Sequence, residues 1–149
     1  MSTYNNPSAP QTFENRNWQE LYILAKHWKS DLEFYKEDLR FLKTLIEKYL
    51  IWITKKENLE LVSSLRKKEH ELIVQCTSLL NDVSGHLHNA SELATANDTS
   101  KEAAFRKGHL ELETALASFV KTFRENRMEV FKVTEYIMDS EELQNILDT

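Results

Sequence analysis

Trp18, Leu21, Ala25, Trp28, Leu32, Tyr35, Leu39, Leu42, Ile46, Tyr49 and Ile53 follow one another in alternating steps of three and four, and all are apolar or aromatic. A 3.5-residue repeat held that long keeps one seam of a helix facing a partner helix. Neither glycine nor proline interrupts the stretch. At a rise of about 1.5 Å per residue the helix is on the order of 50 Å long. A rod with one apolar seam needs neighbours to cover it. The chain therefore reads as all-α, with this helix as the spine of a bundle.

Composition narrows the alternatives. A chain of 149 residues suits one domain with a sizeable core. Two glycines and two prolines, both prolines near the N-terminus, are too few for the turns of a β-rich fold. A formal net charge of −5 argues against a general nucleic-acid-binding surface. The single cysteine excludes an internal disulfide framework and fits a reducing compartment. The opening MSTYNNPSAPQTFENRN lacks the apolar core of a secretory signal. No uncharged apolar run approaches the ~18 residues that a membrane span needs. The expectation is a cytoplasmic protein with no membrane and no nucleic-acid partner.

Taken in order, residues 1–16 read as a flexible, disordered arm, rich in Asn, Ser and Pro. The first helix covers about 17–53, with Asn17 capping it and Glu20 completing a capping box. Beyond Ile53 the repeat would put Lys56, Glu60 and Ser63 on the seam. A tight turn near 54–57 follows, with Thr54 and Glu57, or Asn58 alone, capping the next helix. The rival is one continuous helix through this point. The second helix covers about 58–94, with Val62, Leu65, Glu69, Leu72, Cys76, Leu79, Val83, His86, Ala90 and Leu93 on its seam. After the polar loop TANDTS, Thr99 and Glu102 open a third helix over about 100–138. Its seam is Phe105, His109, Leu112, Leu116, Phe119, Phe123, Asn126, Val130, Val133 and Ile137. Asp139 or Ser140 then caps a short helical tail over 139–149, with Leu143, Ile146 and Leu147 on one face.

Short loops make consecutive helices antiparallel neighbours. A turn centred between residues 55 and 56 sets Tyr49 against Val62, Ile46 against Leu65 and Leu39 against Leu72. A second turn between 97 and 98 sets Cys76 against Phe119 and Ala90 against Phe105. In both registers seam meets seam throughout. The expected fold is an up-down-up bundle of three long helices over 17–138 with coiled-coil-like packing.

Two polar layers fall out of this register. One joins Leu42, Glu69 and Asn126; the other joins Ala25, His86 and His109. Glu69 and Asn126 suit a buried carboxylate–amide hydrogen bond that fixes register, with Arg127 or Lys43 reaching in to help. His86 and His109 each follow one of the two glycines, so Gly-His-Leu occurs twice. A mid-helix glycine costs about 1 kcal/mol relative to alanine, so the pair suggests close helix approach, a bend or a pocket. Two histidines with Asp82 and Glu113 nearby could hold a transition metal. Against that, the Glu-x-x-His spacing of di-iron bundles is absent, and the two carboxylates fall on opposite flanks. Cys76, mid-seam, reads as a small hydrophobe. His27, His70 and His88 lie off the seam and read as solvated.

The first helix also carries apolar residues beside its seam, among them Leu24, Phe34, Phe41, Leu45 and Trp52. Burying one Phe is worth about 1.5–3 kcal/mol, and a contiguous exposed apolar patch usually marks an interface. The expectation is a non-enzymatic bundle that acts by protein–protein interaction, as a homodimer or with another helical partner, through Leu24, Phe34, Phe41 and Leu45. The alternative is a metal- or small-ligand-binding bundle using His86 and His109. No cofactor is expected, and no nucleophile, base and orienter fall together as an enzyme would require.

Overall fold

Asn17 starts the first helix. Its side-chain oxygen accepts the backbone N–H of Glu20 at 2.9 Å, which satisfies one of the orphan donors of the first turn. The computed structural model describes residues 17–95 and 99–141. Within them lie three helices, α1 (Trp18–Leu50), α2 (Lys56–Leu93) and α3 (Thr99–Ser140), and no strand. They pack against each other as an all-α helical bundle. Among the described residues no helix is long and apolar enough to cross a membrane. The expected arm over 1–16, part of the TANDTS loop, and the tail carrying Leu143, Ile146 and Leu147 lie outside the described residues.

Burial follows the seams. All ten seam positions of α2 are buried, Glu69 and His86 among them. On the first helix every seam residue is buried or half-buried. On α3 the seam residues are buried except Leu112 and Val133. Val133 is half-buried and Thr134 takes the buried position beside it. The Thr134 hydroxyl donates to the Val130 carbonyl at 2.8 Å, so its polar atom is satisfied within its own helix and the methyl is left to pack.

The chain groups into two compact units, each drawing on all three helices. One joins residues up to Leu32 with Leu79–Leu116; the other joins Glu33–Ser78 with residues from Ala117 onward. In the first unit, Leu21, Ala90, Leu93 and Phe105 form a buried cluster with Trp18, Tyr22 and Leu24 against it. In the second, Leu42, Ile46, Val62, Leu65, Val130 and Ile137 form the cluster, with Leu45, Tyr49 and Ile53 packed on it.

The break between α1 and α2 falls earlier than the expected end at residue 53. Trp52 and Ile53 close the last turn of α1 by donating to the carbonyls of Tyr49 and Leu50 at 3.1 and 3.3 Å. These i→i+3 bonds tighten a helix end and stop it. Helix α2 then begins at Lys56 rather than 58, so neither Thr54 with Glu57 nor Asn58 forms the expected cap. The start of α2 is capped instead from the end of α3. Glu141 accepts the backbone N–H groups of Thr54 and Lys55 at 3.2 and 3.0 Å, the Thr54 hydroxyl at 2.6 Å and the Asn58 amide at 2.8 Å. Lys55 returns the favour, its Nζ donating to the Ser140 carbonyl at 2.6 Å. A carboxylate thus sits at one helix N-terminus and an ammonium at one helix C-terminus, each complementing a macrodipole. The Thr54 hydroxyl above all, then the Asn58 amide and the two backbone N–H groups, hold the Glu141 carboxyl down at about 2. Ser140, read from the sequence as a cap for the tail, is the last residue of α3, and its hydroxyl accepts from Lys55 and Asn58.

Candidate functional site

The histidine layer lies in the first unit. His86 and His109 are both buried, and His86 Nε2 stands 3.1 Å from His109 Nδ1. One ring nitrogen donates and the other accepts, so a single proton bridges them. Each ring is also stacked. His86 lies flat on Phe105, with centroids 4.0 Å apart and planes 2° from parallel. His109 stacks on Trp28 at 4.3 Å. Burial pushes the His86 imidazole down to about 4, so it is neutral at physiological pH. Ala25 is fully buried, as the register requires; the Trp28 ring is the partner that the sequence did not name.

The glycines are not there for close helix approach. A Cβ on Gly85 would meet nothing within 4 Å. A Cβ on Gly108 would meet the His86 ring at 3.8 Å, an ordinary contact. Gly108 instead lines a cleft of about 230 Å³ whose floor holds His86 and Phe105 and whose rim holds Asn89, Glu92 and Lys101. Asp82 and Glu113, the carboxylates expected beside the two histidines, are both exposed. Among the described residues no three His, Cys, Asp or Glu side chains group as metal ligands. The histidine pair is therefore a stacked, proton-sharing unit beside a small cleft, and the donors around it are those of hydrogen bonding.

The carboxylate layer lies in the second unit. Glu69 and Leu42 are fully buried and Asn126 nearly so. The Asn126 amide acts on the Glu69 carboxyl as a hydrogen-bond partner, although the pair departs from ideal hydrogen-bond geometry. Arg127 does not reach Glu69. It is paired with Asp38 on α1 and its guanidinium lies over the Phe131 ring at 5.1 Å; Lys43 is exposed. Burial therefore dominates and pushes the Glu69 carboxyl up to about 7; the nearby Asn126 amide works against the rise, and the Asp38 charge adds to it. Cys76 is buried on the same helix, and burial raises its thiol above the ordinary value while Lys36 works the other way. A thiol held protonated is a poor nucleophile.

The residues expected at an interface separate into two pairs. Leu24 and Leu45 are half-buried and pack on the two apolar clusters. Phe34 and Phe41 are exposed, at 66% and 54%. Phe34, Asp38 and Phe41 sit at i, i+4 and i+7, hence on one face of α1. Asp38 holds Arg127, and Arg127 covers half-exposed Phe131. The outer face of this unit is thus aromatic with one ion pair set into it. Among known protein families, curated proteins and solved structures, none matches this chain.

Proposed function

We propose that the protein is a non-enzymatic, up-down-up three-helix bundle of the cytoplasm that works by binding, and that its partner is a second copy of itself docked on the outer face of α1. The observation that carries this is the exposure of Phe34 and Phe41 on one helical face. Covering what is still exposed of both would gain about 2–4 kcal/mol at the usual value per fully buried Phe. The contacts within each unit support the antiparallel course of α2 and α3. Asn58 meets Glu141 and Lys68 meets Glu129 in one unit, and His86 meets His109 in the other. The mixed charge of the patch, Asp38 with Arg127, suits a two-fold interface in which each copy meets its own complement.

The test is the oligomeric state. Light scattering of the wild type is expected to give a dimer, and Phe34→Glu with Phe41→Glu a folded monomer. A wild type that is monomeric at high concentration would end the proposal. A second reading uses the cleft beside His86 for a metal or small ligand, supported by the placement of His86 in its floor. Saturable Zn²⁺ or Ni²⁺ binding by calorimetry, lost in His86→Gln, is what that reading requires.

A further inference from the structure

His86 has one ring nitrogen for which the bundle supplies no partner. Its Nε2 faces His109 Nδ1 at 3.1 Å, but its own Nδ1 makes no hydrogen bond with any described residue. Nor is that Nδ1 sealed off from solvent, although the residue as a whole is only 5% exposed. It stands 3.8 Å from where a Cβ on Gly108 would be. Gly108 and His86 both line the cleft of about 230 Å³ at this level. A polar atom of a nearly buried ring is thus reached from a cavity.

Gly108 keeps that atom uncovered. A mid-helix glycine weakens a helix relative to alanine, and packing gives no reason for one here, since an added Cβ would make only ordinary contacts. Those contacts are all with the His86 ring, at Nδ1 and Cε1. A methyl group in that place would cover the nitrogen that has no partner.

The rest of the lining sets the character of an occupant. Leu93, Ala104 and Phe105 supply an apolar wall, and the charged residues are Glu92 and Lys101. Glu92 lies 3.4 Å from His88, one turn before it on α2. Lys101 makes no ion pair with a described residue. It also belongs to the first turn of α3, where the helix dipole favours an anion. The charge left for an occupant is therefore positive, beside an apolar wall and a nearly buried donor.

We propose that this cleft between α2 and α3 binds a small organic acid, an apolar monocarboxylate, with one carboxylate oxygen on His86 Nδ1–H and the other on the Lys101 ammonium. This builds on the reading of the cleft as a ligand site and names the class of ligand. Burial keeps His86 neutral, so its ring carries one proton. A carboxylate that accepts from Nδ1–H leaves Nε2 to accept from His109 Nδ1–H. Binding thus fixes the tautomers of both rings. The hydrocarbon body lies against Leu93, Ala104 and Phe105.

Nuclear magnetic resonance of the full chain, with isotopically labelled histidine rings, tests this. Benzoate is the probe, and benzyl alcohol and benzylamine are its uncharged and cationic counterparts. Benzoate is expected to shift the His86 ring signals saturably and to make Nδ1 the protonated nitrogen; the other two are expected to do neither. Gly108→Ala is expected to be more stable than the wild type yet to bind benzoate about tenfold or more weaker. Lys101→Met, at an exposed position, is expected to weaken binding by about fivefold. Full affinity in Gly108→Ala, or an unprotonated Nδ1 at saturation, would overturn the proposal. A shift of His86 by benzylamine, benzyl alcohol or Zn²⁺ but not by benzoate would overturn the acid and leave the ligand site standing. Silence from all four would overturn both.

Discussion

At Gly85 the sequence supplies a residue that the structure does not require. An added Cβ meets nothing there, so Gly85→Ala is expected to stabilise the chain by about 1 kcal/mol through helix propensity alone. Urea denaturation measures it, and a loss of stability would show that the backbone there is not regular helix in solution. The buried polar residues were legible in advance, because Glu69, His86, His109 and Asn126 fall at apolar positions of their repeats. What each one touches was not. Helical side chains lean toward the turn before them, so seam arithmetic names the level but not the neighbour. Trp28 on His109 and Asp38 on Arg127 are cases of this. Thr134 was hidden for a different reason: its hydroxyl bonds back to its own helix, which lets a residue counted as polar sit in the core.

At the scale of the elements, the existence of three helices follows from the repeats, while the ends follow from contacts across the fold. Nothing in residues 51–57 forbids a continuous helix, having neither Gly nor Pro. The corner is set by Glu141, whose partner residues lie more than eighty positions away. Asn58→Ala removes two hydrogen bonds from a fully buried amide and is expected to cost about 2 kcal/mol, seen in thermal or urea unfolding. Glu141 has a lowered carboxyl, so its contribution is complete above its ordinary value of 4.5 and is lost as pH falls through about 2. Glu141→Gln should therefore lower the melting temperature at neutral pH and lose less stability than the wild type on acidification across that range.

For the molecule as a whole, two buried groups tilt stability in opposite directions. Glu69 has a raised carboxyl: its contribution is complete below 4.5 and is lost as pH rises through about 7. His86 has a lowered imidazole: its contribution is complete above 6.5 and is lost as pH falls through about 4. Each amounts to about 3 kcal/mol at 1.36 per unit. Between 4.5 and 6.5 the two slopes cancel, and stability contributed by the pair is nearly level. Glu69→Gln is expected to expose the histidine slope, losing about 1.4 kcal/mol per pH unit on acidification through that window. His86→Gln is expected to show the reverse tilt, losing about as much per unit as pH rises. Chemical denaturation across the window reads both, and parallel curves for the two variants would refute the cancellation. The contact between Glu141 and the start of α2 also has a bearing on biosynthesis. A ribosome makes Thr54, Lys55 and Asn58 long before it makes residue 141, so the start of α2 waits, uncapped, until the end of α3 has emerged. The nascent chain thus needs shelter at this point for as long as α3 is being made.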